Sequence, residues 1–593
     1  MAKIRNGRAE PATSYFCGMA NTLDLPRRRA FLPSDWRLQQ WDDALVWFQQ
    51  LDARVLDTAQ DFEAFLLDRS ALEAALDEDL AWRYIRMTCH TEDDQLRADY
   101  AFFIGSIYPE MAPWTDRLNR KMLAALPDGY ASDPALALWV RRVETEIRLY
   151  RVENIPLITE LKQLESRYGA IAGAMSVLFD GKELTMPQAG VLLKSPDRMI
   201  RERIWHLMAE RRAQDAEVLD ELMDRMIDLR HRMALGAGFD SYIPYRFLEL
   251  GRFDYDRADC LAFHNAIEEV VLPVCHRFHT DRAGRLGLPL LRPWDTRAEP
   301  ADQKALTPFN SEDQLVERSI RAFGAIDPYF GDCLHTMRQM GRFDLYSRKG
   351  KAPGGYNYPL METGAPFIFM NAAGTMEDLE TMMHEGGHAV HSFLTCMLPL
   401  GAYRQLPSET AELASMSMEL LAMEQYSVFF DNDELVRRAR YEQLQRSLSV
   451  LPWIAAIDAF QHWIYANPGH SRAERTAQWM EIATRFGGKG VDWSQLDAHL
   501  GRQWQAQLHL FEVPFYYIEY GFAQLGALGV WKRSLEAGSN ALADYKAALA
   551  LGQTRSVREV YARAGVEFGA DPEAIRSLLH FTDAYLEGLG YCG

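Results

Sequence analysis

Thr381-Met-Met-His-Glu-Gly-Gly-His-Ala-Val-His391 contains His384-Glu385-x-x-His388. Four residues advance about 400° along an α-helix, so the two histidines share one face, one turn apart, and both imidazoles can reach a single ion. Glu385 falls on the flank of that face, where a carboxylate can take a proton from water activated by the metal without binding the metal itself. Chance matches to this pattern are rare: 15 histidines in 593 residues yield roughly two per hundred chains of this composition. The flanks agree with a helix. Thr375-Met-Glu-Asp378 reads as an N-cap followed by an acidic first turn. Met376, Leu379, Met383, Val390 and Phe393 recur at mostly helical spacing. Gly386-Gly387 costs up to about 1 kcal/mol per residue relative to Ala inside a helix. Such a pair predicts that something packs closely against this helix.

A catalytic zinc site takes three protein ligands and keeps a position open. The stretch Leu406–Leu420 offers Glu409, Glu412 and Glu419 on one predicted helix, and spacing alone leaves the choice open. His391, three residues after His388, is read as structural, because a fourth protein ligand would close the position that catalysis needs.

Three separated motifs then carry a resemblance. His384-Glu-Gly-Gly-His-Ala-Val-His391, Pro407-Ser-Glu-Thr-Ala-Glu-Leu-Ala-Ser-Met-Ser-Met-Glu419 and His509-Leu-Phe-Glu-Val-Pro-Phe-Tyr-Tyr-Ile-Glu-Tyr-Gly521 resemble, in this order, the oligoendopeptidase F branch of the thimet oligopeptidase family. The resemblance is strong over roughly 350–530 and weak over the rest. It implies one zinc ion per chain, held by His384, His388 and Glu412, with Glu409, Glu419 and Glu380 as candidates to orient the imidazoles. It also implies hydrolysis of internal bonds of short unfolded oligopeptides by a zinc-bound water with Glu385 as general base. The implied fold is mainly α, with two helical lobes around a deep substrate channel and a small β element beside the zinc helix.

In that family a C-terminal segment supplies aromatic and histidine side chains to the substrate and the developing oxyanion. Here His509, Tyr517 and Tyr520 are expected in the catalytic role and Tyr516 against the substrate. Relative to the thimet branch the His-to-Tyr spacing shifts by one residue, and Phe515 and Phe522 stand where that branch has tyrosines. Gly354-Gly355-Tyr356 resembles the family's glycine-rich loop over the substrate. Ala365–Asn371 reads as a strand. As an edge strand it would pair with an extended peptide and bring Phe369 and Asn371 to the substrate. The competing reading is a buried strand with both edges occupied.

Composition sets the frame. The length implies more than one core, and the helical pattern divides into an N-terminal lobe, 1–205, and a catalytic region, 206–593. Helical patterns cover Trp36–Leu56, Asp61–Ile85, Pro134–Val152 and Arg198–Leu235, and Leu448–Ala466, which contains Pro452 and Asp458, reads as a buried helix rather than a membrane span. Gly251–Tyr255 and Leu288–Pro308 read as surface connections. A formal net charge of −19 argues against nucleic acid or an anionic membrane as partner. Seven scattered cysteines fit reduced thiols, and Met1–Leu23 lacks the apolar core of a secretory signal, so a cytoplasmic location is expected. Two other functions stay open: a zinc exopeptidase, with Glu409 as third ligand, and a non-catalytic zinc-stabilised peptide binder. The sequence says nothing about oligomeric state.

Overall fold

The fold is built outward from the helix Met376–Thr395. The Thr375 hydroxyl accepts from the Asp378 amide while the Asp378 carboxylate accepts from the Thr375 amide, which satisfies two of the orphan donors at the helix start. In this computed structural model the described residues are 23, 25, 29 and 31–590, apart from 299–305 and 488. The segment read for a signal, except Leu23, lies outside them, as do Cys17, Cys592 and part of the connection at 288–308.

The two glycines explain how the next helix, Ser408–Met423, comes to lie so near. A Cβ on Gly387 would stand 2.7 Å from the Ala414 carbonyl oxygen and 2.7 Å from Ser415 Cα, and one on Gly386 would stand 2.5 Å from the tip of the Phe323 ring. Backbone therefore packs on backbone, and the helix cost of Gly is exchanged for close approach. Ser408–Met423 is buried on nearly all sides, because Ile518–Ala537 packs on its other flank, where Gly526 lies against Leu413. The helix Asp433–Ala466 runs beside both, buried as expected and with Pro452 inside it.

The chain is mainly α-helical, with one two-stranded and one three-stranded sheet among the described residues. In the larger sheet Phe367–Ala372 is central, parallel to Phe343–Tyr346 and antiparallel to Tyr356–Tyr358. The expected edge strand is thus an interior strand. Its two edges are already hydrogen-bonded, so it cannot pair with a peptide; its consecutive buried residues are the pattern of a strand covered on both faces.

Two large hydrophobic clusters organise the helices. One gathers side chains between Leu32 and Val143, joined by Leu400; the other runs from Leu149 to Leu586 and encloses the His-Glu-x-x-His helix. The change of core therefore falls between 143 and 149, whereas the helix Arg198–Gln214 continues through position 205. No helix among the described residues is long and apolar enough to cross a membrane.

Candidate active site

On the Met376–Thr395 helix, His384 and His388 stand with ring centroids 4.9 Å apart and nearly perpendicular. Both Nε2 atoms face one carboxylate oxygen, Glu412 Oε2, at 3.3 and 3.6 Å. The three donor atoms lie within 4.8 Å of one another. Two ligands each about 2.1 Å from a tetrahedral zinc ion stand about 3.4 Å apart, close to both His–Glu412 separations, so the donor set fits zinc. Neither Glu409 nor His391 belongs to it: Glu409 accepts from the Tyr255 hydroxyl at 2.7 Å, and His391 is buried away from the cluster.

Partners behind these residues fix their orientation. His384 donates from Nδ1 to Glu419 Oε1 at 2.7 Å, and Gln443 donates to the other Glu419 oxygen at 3.0 Å. That bond fixes the His384 ring with Nε2 directed at the cluster. Glu380, expected in a similar role, pairs with Arg446 instead. Glu412 also accepts from Ser415 Oγ at 3.0 Å and from the Tyr516 hydroxyl at 3.1 Å.

Electrostatics follow from this geometry. Burial works against charge on Glu412, but the hydrogen bond from His384 and the two imidazoles outweigh it and bring the carboxyl down to about 2. Burial likewise opposes charge on His384, yet Glu412 and Glu419 raise its affinity for a proton well above that of an ordinary imidazole, so the site favours positive charge. His388 is lowered to about 4, chiefly by burial. Glu385, also buried, is raised to about 7, where a carboxylate both accepts and releases a proton near neutrality. Asn357, on the outer strand Tyr356–Tyr358, donates from its side chain to the Glu385 carbonyl at 3.3 Å.

His509, Tyr516, Tyr517 and Tyr520 form one aromatic group. The His509 ring lies 4.7 Å from Tyr517, 5.9 Å from Tyr520 and 6.2 Å from Tyr516. Trp453 donates to Gln507 Oε1, which turns the Gln507 amide nitrogen toward His509 Nδ1 at 2.7 Å. His509 therefore accepts at Nδ1 and keeps its proton on Nε2. Tyr516 hydrogen-bonds the ligand set through Glu412, whereas helical spacing favours the Tyr517–Tyr520 pair. The reason is local: the helix begins only at Ile518, and Phe515 before it takes a left-handed backbone with φ 67°. Gln461 accepts the Phe515 amide proton, and Arg252, itself paired with Glu519 at 2.7 Å, donates to the Phe515 carbonyl.

The remaining expected residues are placed as follows. Gly354 is left-handed at φ 98°, and a Cβ on Gly355 would touch Thr381 and the Phe369 carbonyl, so the glycine loop lies against the helix one turn before His384. Tyr356 stacks on Phe369 at 4.8 Å and shares a 2.6 Å hydrogen bond with Thr88 Oγ1. Phe369 is fully buried beneath it, so its side chain cannot meet a substrate. Asn371 donates to the Ala352 and Gly354 carbonyls and thereby holds the loop. A cavity of about 280 Å³ opens beside the ligand set, lined by Asn357, Leu360, His388, Arg404, Glu412 and Tyr516 among others. Asn357, Gln443, Gln461, Gln507 and Arg252 carry no motif. Only their partners in the fold reveal them.

The sequence profile of Peptidase family M3 matches residues 191–578, and that of the Peptidase M3 N-terminal domain matches 38–128. The chain belongs to peptidase family M3. This M3 chain is 27% identical to Oligopeptidase PepF of Bacillus subtilis (strain 168) over 239 residues, 40% of this chain and 35% of that protein. It is 32% identical to an Oligoendopeptidase F homolog of Lactococcus lactis subsp. lactis (strain IL1403) over 157 residues, 26% of this chain and 25% of that protein. The matched stretches thus span about a third or less of these curated relatives. A 3.1 Å X-ray structure assigned to oligoendopeptidase F superposes with TM-score 0.86 at 25% identity, covering 93% of this chain and 98% of that one. PZ peptidase A with an inhibitor superposes with TM-score 0.86 at 24% identity, over 94% and 99% of the two chains. Within the family, these neighbours bear out the oligoendopeptidase F resemblance carried by the three motifs.

Proposed function

We propose that the chain is a zinc metalloendopeptidase that hydrolyses internal bonds of short, unfolded oligopeptides. The observation that carries this reading is the convergence of His384, His388 and Glu412 on one point, with the proton-labile Glu385 on the flank of the same helix. His384, His388 and Glu412 would hold the ion. Zinc, when bound, supplies Lewis acidity at the scissile carbonyl and makes water a stronger acid. Glu385 accepts the proton of the attacking water and returns it to the leaving amine. The Tyr516 phenol, beside Glu412, and the Nε2–H of His509 are the donors that would meet the charge developing on the carbonyl oxygen. Burial and the nearby Glu412 raise the Tyr516 hydroxyl, which keeps it a neutral donor at working pH. Tyr517 and Tyr520 complete the wall behind these donors. The glycine loop and the free side of Tyr356–Tyr358 are the backbone edge that an extended peptide would follow.

Four buried free thiols, Cys89, Cys260, Cys275 and Cys333, support action in a reducing, cytoplasmic setting. The exopeptidase reading needs Glu409 as a ligand, and that carboxylate is engaged by Tyr255. The test is cleavage of internally quenched peptides of graded length with mass-spectrometric mapping of products. Chelator should stop turnover, zinc should restore it, and Glu385→Gln should keep zinc but lose at least about 100-fold in rate. Full zinc occupancy with no cleavage across a broad peptide mixture would refute the proposal.

A further inference from the structure

Away from the candidate active site, two i,i+4 pairs meet between neighbouring helices. Cys260 and His264 lie on Arg257–Ala266, and Asp458 and His462 lie on Asp433–Ala466. All four are buried, Cys260 and Asp458 completely. One donor atom from each of Cys260, Asp458 and His462 lies within 4.8 Å of the other two. His264 Nε2 stands 2.8 Å from Asp458 Oδ2, and His462 Nε2 stands 3.3 Å from the same oxygen. Yet Asp458 Oδ1 and both ring nitrogens of His462 make no hydrogen bond among the described residues. Buried polar atoms left without partners are costly, so orphans on two residues that also share a donor cluster call for an occupant.

We propose that Cys260, Asp458 and His462 hold a second zinc ion, while His264 hydrogen-bonds the Asp458 carboxylate and sets its angle. The donor chemistry favours this ion. A thiolate with an imidazole is a soft to borderline set that suits zinc and disfavours magnesium or calcium. Charge also balances, since a dication with one thiolate, one carboxylate and neutral imidazoles leaves no net charge in the core. The nearest fixed cation, Arg252, is already matched by Glu519. A proton on His462 would leave Asp458 Oδ1 without a partner. Burial by itself holds the Cys260 thiol protonated well above its usual range, and a dication at the sulfur reverses that preference. The placement also has a use. The His462 ring lies 5.1 Å from the Phe515 ring, and the adjacent Gln461 accepts the Phe515 amide proton, so the ion would brace the turn that presents Tyr516.

The ligand sets of the two sites differ in sulfur, which makes them separable in the intact protein. Full-length chain expressed with zinc should contain two zinc ions by elemental analysis, and zinc K-edge absorption should include a sulfur neighbour at about 2.3 Å. His384→Ala/His388→Ala should retain one zinc, with the sulfur contribution per zinc doubled. Cys260→Ser and His462→Gln should each lose the sulfur shell and one zinc and melt at lower temperature. A folded wild-type chain with a single zinc and no sulfur shell would overturn the proposal, as would a folded His384→Ala/His388→Ala chain with no zinc. Both measurements leave the buried cluster unaltered, so they decide the matter even if its variants fail to fold.

Discussion

Substituting Gly387 by Ala isolates the feature that brings the ligands together. The added Cβ falls 2.7 Å from the Ala414 carbonyl and Ser415 Cα and 2.9 Å from Met418 Cβ, about 0.7 Å short of ordinary van der Waals separation. Two of these atoms are backbone, so relief requires that Ser408–Met423 move as a body. Glu412 lies on that helix, one turn before the contact, and moves with it. Metal sites tolerate ligand displacements of about 0.2 Å, so a shift several times larger weakens zinc binding by an expected tenfold or more. Overpacking costs roughly 1–3 kcal/mol, offset by up to about 1 kcal/mol of improved helix propensity. The assay is competition for zinc against a chelator of known affinity, with the thermal midpoint recorded alongside. Gly190→Ala, in the helix Met186–Val191 with nothing within 4 Å of its added Cβ, serves as the control and should not lower stability. A Gly387→Ala protein that holds zinc as tightly as the parent would refute the close-approach argument.

Other outcomes follow from the same geometry. Glu419→Ala removes the partner of His384 Nδ1 and should weaken zinc binding about 10–100-fold, read by the same competition. Tyr516→Phe should keep zinc and lower kcat by about 100-fold or more, with Tyr517→Phe less affected; equal losses would return the donor role to the Tyr517–Tyr520 pair. Burial lowers His509 to about 4 from its ordinary 6.5. The unfolded chain then takes up a proton that the folded one refuses, so stability attributable to His509 is complete above about pH 6.5 and is lost as pH falls toward 4. Selective imidazole NMR should give a midpoint near 4, and one at 6 or above would contradict the buried assignment. Arg252→Met strands Glu519 and frees the Phe515 carbonyl, for an expected loss of about 3–5 kcal/mol by denaturant unfolding.

Local rules carried the sequence reading where the determinants are local. The capping box at Thr375, the shared face of His384 and His388 and the mainly helical character all rest on spacing within a few residues. Glu412 was different: spacing could not separate it from Glu409 and Glu419, and only the resemblance did. The structural reason is that selection depends on where a second helix is pinned, which the glycines hint at without giving its register. The run from Ala365 to Asn371 was readable as a strand, but its interior position depends on Phe343–Tyr346 and Tyr356–Tyr358, which come from elsewhere in the chain. Helical spacing pairs Tyr517 with Tyr520, whereas the bond from Tyr516 to Glu412 depends on the left-handed Phe515 before it and on a carboxylate 104 positions away. The buried Arg252–Glu519 pair joins residues 267 positions apart, and nothing near either one announces the other.

Ser408–Met423 is clamped on one flank by Gly387 and on the other by Gly526, whose added Cβ would stand 2.8 Å from Leu413 Cδ1. The metal-ligand half and the tyrosine half of the site are thus registered against a single rod, by backbone contact on the Gly387 flank and by a side-chain contact on the Gly526 flank. Changes on opposite flanks should consequently combine non-additively, so double-mutant cycles between positions 387 and 526 offer a direct measure of how rigidly the two halves are coupled.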